Sequence, residues 1–248
     1  MSLNHAFILD QVRRRAGERA AVLDFGCGQG EFVALARREG FDAQGCDWYA
    51  GPWAWLFDDV RNNPALRDHV KKIEPDGRVP FPDRSFDAVT SNMVFEHVAD
   101  FEKPVSEIAR VLKPGGPLVV LFPSRELWFE QHVGLPFAHR AASPGYFSAA
   151  HRLGFGWGRE GLSRDAWVAR SIASMREEVA YRPARQAEAL FGRAFEIVER
   201  AEPDWIRDRL AESRLKPVAR LAAPRALDPL LRFLCRRLAT MVLVLRKR

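Results

Sequence analysis

Ala21-Val22-Leu23-Asp24-Phe25-Gly26-Cys27-Gly28-Gln29-Gly30-Glu31-Phe32 decides the fold. A short apolar run, strand-like in length, passes directly into three glycines at alternate positions, and a helix-forming segment from Glu31 to Glu39 follows. Glycine lets the chain take positive φ and lets a ligand approach the main chain closely. A helix starting there directs unpaired N–H groups and a partial positive charge at whatever lies on the loop. The spacing is not that of the dinucleotide fingerprint, because no third glycine stands at Ala34 or its neighbours. A phosphate-binding Walker loop is excluded because no Gly-Lys-Ser/Thr follows. The stretch points to a nucleoside-bearing cofactor, against a tight turn between strand and helix with no ligand.

Phe41-Asp42-Ala43-Gln44-Gly45-Cys46-Asp47 reads as a second strand ending in an acid. A carboxylate at the end of that strand can accept both hydroxyls of a ribose, the geometry of doubly wound nucleotide folds. Asp42 competes for the role but stands at the wrong end of the strand. Trp48 either stacks on a base or caps the strand end as a core aromatic.

Asp76-Gly77-Arg78-Val79-Pro80-Phe81-Pro82-Asp83-Arg84-Ser85-Phe86-Asp87 comes next, then a strand, Glu96-His97-Val98, a helix, and Arg110-Val111-Leu112-Lys113-Pro114-Gly115-Gly116. Together with Asp24-x-Gly26-x-Gly28-x-Gly30, these motifs closely resemble the type 11 subgroup of the class I S-adenosylmethionine-dependent methyltransferases, in the same order and over residues 20–123. The resemblance implies an S-adenosylmethionine cofactor, with Asp24, Phe25, Gly26, Gly28 and Gly30 at its amino-acid end. It implies Asp47 at the ribose, Trp48 beside adenine, Asp76 at the adenine amino group and Gly77 behind the ring. It also implies that Asn92 offers its backbone carbonyl to the cofactor's amino group and that His97 faces the pocket.

The implied fold is α/β: a doubly wound, seven-stranded, mostly parallel sheet of Rossmann-like methyltransferase type. Strands are expected at 21–25, 42–46, 70–74, 86–91, 117–123, 195–199 and 240–245, the last antiparallel, with helices between them. At 248 residues and 47% apolar, the chain suits one domain, 1–248. Its core is expected from 1–123 and 195–248. The 71 residues of 124–194 are far beyond an ordinary connection. They are rich in aromatics, and a connection at the carboxyl end of a strand lines the ligand crevice. A helical lid and acceptor pocket between strands five and six is therefore expected; an added packing layer is the alternative. Gly154-Phe155-Gly156-Trp157-Gly158 is either a hinge or a turn cluster.

Three cysteines without framework spacing argue for a reducing compartment, and no Cys/His cluster has metal-site spacing. With neither a signal-peptide pattern nor a long apolar run, a cytoplasmic location is expected. Arg200 to Arg248 holds 13 Lys/Arg against 5 Asp/Glu, although the whole chain is only +6. Two basic amphipathic stretches, 205–210 and 230–238, make peripheral contact with an anionic membrane surface an expectation, against an ordinary solvated face. No nucleic-acid module and no metal are expected.

Transfer from a sulfonium needs positioning and water exclusion above all. A hydroxyl acceptor would also need a base near neutral pKa. His139, His132 and His97 are the candidates, the first two because they lie in the insertion. The acceptor expected is a small molecule, a lipid or a lipid-linked saccharide, methylated on oxygen. The alternatives are an RNA or protein methyltransferase, or a non-catalytic protein that binds the cofactor.

Overall fold

In the computed structural model, which describes residues 3–213 and 220–248, α1 (Leu3–Ala16) leads into β1 (Ala21–Phe25), α2 (Glu31–Arg38) and β2 (Asp42–Asp47). There follow α3 (Leu56–Asn62), β3 (Val70–Lys72), β4 (Ala88–Asn92), α4 (Glu102–Val111) and β5 (Pro117–Phe122). The insertion contributes a small hairpin, β6 (Phe129–Glu130) and β7 (Leu135–Pro136), then α5 (Ala138–Ala141), α6 (Pro144–Arg152) and α7 (Arg164–Ala173). After α8 (Ala184–Phe191) come β8 (Phe195–Arg200), α9 (Glu202–Glu212), α10 (Asp228–Leu238) and β9 (Met241–Lys247).

Seven strands form one sheet in the order β3-β2-β1-β4-β5-β9-β8. β1, β2, β3, β4 and β5 run parallel, and β9 inserts antiparallel between β5 and β8. Alternate residues feed opposite faces, as a pleated strand requires. Val22, Val119, Leu121, Val242 and Val244 pack with residues of α1, α2 and α9. Leu23, Val89, Leu118, Val120, Leu243 and Leu245 pack with residues of α4 and α8. The sheet is thus covered on both sides, and β5 is buried along its whole length.

Strand limits other than those of β1 differ from expectation by one or two residues, and two of the shifts have a visible cause. β3 stops at Lys72 because Glu74–Arg78 closes a turn, with the Glu74 amide on the Arg78 carbonyl at 3.0 Å. β4 begins at Ala88 because the Phe86 amide is spent on the Val111 carbonyl at 3.1 Å.

The insertion holds a buried cluster of its own: Val133, Leu135, Ala138, Phe147, Ala150, Trp167 and Met175. Phe155 and Trp157, by contrast, are exposed. The glycine-rich 154–158 stretch is tied in as a turn, the Trp157 amide bonding the Val133 carbonyl at 2.8 Å and the Trp157 carbonyl receiving Trp167 Nε1 at 2.8 Å.

Much of the basic charge near the C-terminus is consumed internally. Arg236 bonds the fully buried Glu202 at 2.6 Å and Glu188 at 2.9 Å, and Arg232 lies 3.7 Å from Glu202. No helix among the described residues is long and apolar enough to cross a membrane. Residues 214–219 of the basic segment lie outside the described residues.

Candidate functional site

All the elements that matter meet at the carboxyl edge of the parallel strands. β1 ends at Phe25, and Gly26 turns the chain at φ 77°. A Cβ on Gly26 would stand 2.2 Å from Val94 Cγ2, so the turn after β4 fits against it only because the side chain is missing. Gly28 also has positive φ, 51°, but nothing lies within 4 Å of where its Cβ would be. One glycine is demanded by packing; the other faces open space.

Asp47 ties this loop to β2. Its Oδ2 accepts the Gly28 amide at 2.8 Å and its Oδ1 accepts the Trp48 amide at 2.6 Å. Burial pushes the Asp47 carboxyl up, while these bonds, one from the Tyr49 amide and the nearby His97 pull it back down. A carboxylate has about four acceptor sites, so after the three amides roughly one remains for a ligand hydroxyl. Tyr49, buried with left-handed φ of 44°, donates its hydroxyl to the Gly28 carbonyl at 2.7 Å. Asp24 and Phe25 are buried beneath the loop. Thr90 donates to Asp24 Oδ1 at 2.9 Å, and burial pushes that carboxyl up to about 7. Gly30 stands as the left-handed residue just before α2.

Trp48 is 46% exposed, which removes the core reading of this residue and leaves its ring free beside the loop. Trp53 and Trp55 are similarly exposed. Asn92 closes β4, its side chain held by Asn4 Nδ2 at 3.0 Å, and Met93 turns away at φ 57°. Asp76 is exposed, and its Oδ1 accepts the Arg78 amide of its own turn at 2.9 Å. Gly77 packs beside Lys103 of α4. Among the described residues no hydrogen bond or ion pair joins Asp76 to the glycine loop.

Asp42 sits at the opposite end of β2, paired with Ala21 in the register and 3.6 Å from Arg37. Asp47→Ala should therefore weaken S-adenosylhomocysteine binding by about 1.5–3 kcal/mol, the range for a hydrogen bond to a charged group. Asp42→Ala should leave it unchanged. Calorimetry on the two variants checks both, and the reverse pattern would transfer the ribose role to Asp42.

Two of the three candidate histidines flank one tyrosine, and the third stacks on one of them. His97 and His132 stack edge to face with centroids 5.1 Å apart, and Tyr181 lies 6.4 Å from His132 and 5.0 Å from His139. His97 donates Nδ1–H to the Glu178 carbonyl at 2.6 Å and touches the Trp53 ring. It thereby links the cofactor loop to the insertion. Loss of hydration, with some repulsion from His132, holds His97 below the usual imidazole range despite its bond to Glu178.

His132 has the most constrained setting. Its Nδ1 lies 2.6 Å from Oε1 of the fully buried Glu130. The same oxygen receives the Tyr181 hydroxyl at 2.7 Å, and Oε2 accepts the amides of His132 and Val133 at 2.8 and 2.9 Å. Burial alone would raise the Glu130 carboxyl, but the bonds from His132, Tyr181 and Val133 outweigh it and hold it low and ionised. An ionised partner at Nδ1 fixes the proton there and leaves His132 Nε2 with a lone pair. His139, in contrast, donates Nε2–H to the Arg125 carbonyl at 3.1 Å. Of these two rings only His132 has a carboxylate behind it.

Tyr181 and Glu96 carry no sequence signal as site members, whereas Glu130 stands next to Gln131-His132 in the sequence. Glu96 is 1% exposed, both its oxygens lack a partner, and burial pushes its carboxyl up to about 8, so it is neutral at pH 7. The Glu130-Gln131-His132 spacing was the one available signal. Tyr181 arrives from 49 residues further on.

Comparison with known proteins agrees with this geometry. Residues 23–120 match a family described as "Methyltransferase domain" (Methyltransf_11). A demethylmenaquinone methyltransferase of Thermus thermophilus is 39% identical over 121 residues, 45% of this chain and 54% of that protein. The ubiquinone/menaquinone biosynthesis C-methyltransferase UbiE of Geobacter sulfurreducens is 34% identical over 110 residues, 43% of each chain. The chain spans about half the length of the curated relatives it matches. A solved S-adenosylmethionine-dependent methyltransferase from Mesorhizobium loti superposes with a TM-score of 0.57 at 16% identity, covering 99% of this chain and 100% of that one. A geranyl diphosphate C-methyltransferase from Streptomyces coelicolor A3(2) gives 0.52 at 15% identity, covering 98% and 76%. At such identities these two show a shared fold.

Proposed function

We propose, from the premise that residues 23–120 are a methyltransferase domain of the type 11 family, that this chain transfers a methyl group from S-adenosylmethionine to a small-molecule acceptor bearing an ionisable hydroxyl. The observation that carries the reading is the continuity of the site: the glycine loop and Asp47 adjoin His97, and His97 stacks on the Glu130–His132 pair. The open space over Gly28 and the spare acceptor site of Asp47 suit the amino-acid and ribose parts of the cofactor.

The cofactor, when bound, supplies a methyl group already activated on a sulfonium sulfur. The chain's own residues then have three tasks. The loop holds the amino-acid end, and Asp47 and the Trp48 ring hold the nucleoside end, with Asp76, Gly77 and the Asn92 backbone retained as proposed contacts. Glu130 keeps His132 oriented so that Nε2 takes the acceptor's hydroxyl proton. The insertion 124–194, folded on its own cluster, covers the acceptor and limits water. On this reading residues 1–248 work as one domain.

Removing a hydroxyl proton serves methylation at oxygen, and by delocalisation of the oxyanion into a ring it serves methylation at carbon equally. The names of the relatives favour carbon over the oxygen first expected. The matched residues end at 120, before the insertion, so residues 124–194 set the acceptor. A lipid-surface contact, if the acceptor resides there, has better support in exposed Trp128 and Phe233, with Arg237 3.7 Å over the Phe233 ring, than in the internally paired Arg232 and Arg236.

The test is incubation of the full chain with methyl-labelled S-adenosylmethionine and a panel of dihydroxynaphthalenes, with products read by NMR. Label on a ring carbon is expected. Tight S-adenosylhomocysteine binding with no transfer to this panel or to a metabolite extract would point to a non-catalytic cofactor-binding protein.

A further inference from the structure

Tyr181, whose hydroxyl bonds Glu130, also lines a cavity of about 260 Å³ bounded by Arg125, His139, Met175, Val179 and Arg182. Among the described residues neither Arg125 nor Arg182, both of which line it, has an ion-pair partner. Arg182 lies over the Phe101 ring at 4.8 Å and donates one NH2 to the Ala99 carbonyl, yet its Nε is buried without a partner. His139 Nδ1 is likewise buried and unpartnered, because the opposite ring nitrogen is the one bonded to the Arg125 carbonyl.

The nearby acids do not answer these cations. Glu126 spends both oxygens on the Ala184 amide, at 3.1 and 3.2 Å. Glu130 is saturated by His132, Val133 and Tyr181. Glu178 accepts from Ser174 at 2.9 Å. His139 Nδ1, with the ring proton on Nε2, is an acceptor and asks for a donor such as a ligand hydroxyl, whereas Arg182 Nε is a buried donor left without a partner beside two guanidinium groups that have no ion pair, which suits a ligand that supplies acceptors. The Arg125 amide bonds the Arg182 carbonyl at 2.8 Å, so the two arginines spring from adjacent, fixed points of backbone. The planar fork of a guanidinium matches the oxygens of a carboxylate or phosphate. The volume is below the range for a whole drug-sized ligand, about 300–1,000 Å³, and fits one charged group.

We propose that the cavity between Arg125, His139, Tyr181 and Arg182 is a subsite for an anionic group, a carboxylate or phosphate, carried by the methyl acceptor. This rests on the proposed methyl transfer, since it places that group one ring beyond the base. The substrate class narrows accordingly to hydroxylated compounds with an acidic substituent.

The test is titration calorimetry of the full chain, loaded with S-adenosylhomocysteine at low ionic strength, against inorganic phosphate and against benzoate. Arg125→Gln and Arg182→Lys are measured beside the wild type. Binding of at least one probe is expected, weakened tenfold or more by Arg125→Gln and less by Arg182→Lys, which keeps the charge and the packing on Phe101. Preference for phosphate or for benzoate identifies which anion the subsite takes. Failure of both probes to bind, or equal binding by wild type and Arg125→Gln, overturns the proposal. Affinity for S-adenosylhomocysteine, measured in the same cell, should be equal in all three proteins. Its absence from the wild type would instead overturn the cofactor reading, so the two failures are told apart.

Discussion

Replacing His132 by alanine is expected to lower kcat by about 10²–10⁴-fold, the usual contribution of a general base, with S-adenosylhomocysteine affinity unchanged. The size follows from the acceptor chemistry: a neutral hydroxyl is a poor nucleophile, and the oxyanion, whether it reacts through oxygen or through a conjugated carbon, must be made during the reaction. His132 Nε2 is the atom placed to make it, because Glu130 holds the proton at Nδ1 from 2.6 Å away. Glu130→Gln should show the same direction with a smaller loss, since an amide can still orient the ring but no longer stabilises the imidazolium. Both losses should shrink at high pH, where the acceptor ionises in solution and needs no base. Raising the pH through the acceptor's own pKa is thus the measurement that separates a base from a merely structural histidine. A His132→Ala variant as active as wild type at pH 7 would remove the dyad from the mechanism.

The sheet, and the meeting of the glycine loop with the β2 acid, were legible in the sequence because both are local. A five-residue apolar strand, a glycine turn and a helix lie within one stretch, and the β2 acid follows at nucleotide-fold spacing. The acceptor end was not legible for a physical reason. His97 stands after β4, Glu130 and His132 near the start of the insertion, and Tyr181 near its end, so their meeting depends on how 71 residues pack. No periodicity encodes a ring contact between residues 49 apart, and the aromatic richness of the insertion could signify core or pocket equally. Its residues serve both: Trp167 and Phe147 are buried, whereas Trp128 and Phe137 are exposed. The basic helices misled in the opposite sense. A count of arginines cannot show that Arg236 is committed to Glu188 and a buried Glu202.

Gly28→Val should abolish measurable S-adenosylhomocysteine binding while the protein stays folded. Two glycines of one loop give this prediction its control. At Gly28 the space around an added Cβ is empty, so valine meets no protein atom there and its branches project into the region assigned to the cofactor's amino-acid end. The conformational penalty is that of one left-handed residue, roughly 1–2 kcal/mol, within the margin of about 5–15 kcal/mol that a domain possesses. At Gly26 even a methyl group would collide with Val94 at 2.2 Å, forcing the β4 turn away from the loop. Gly26→Ala should therefore lower the melting temperature more than Gly28→Val, although it adds fewer atoms. Calorimetry with S-adenosylhomocysteine and a thermal melt on both variants decide the matter. A folded Gly28→Val protein with wild-type affinity would mean that the cofactor does not lie on this loop, and the assignment of Asp47 to its ribose would fall with it.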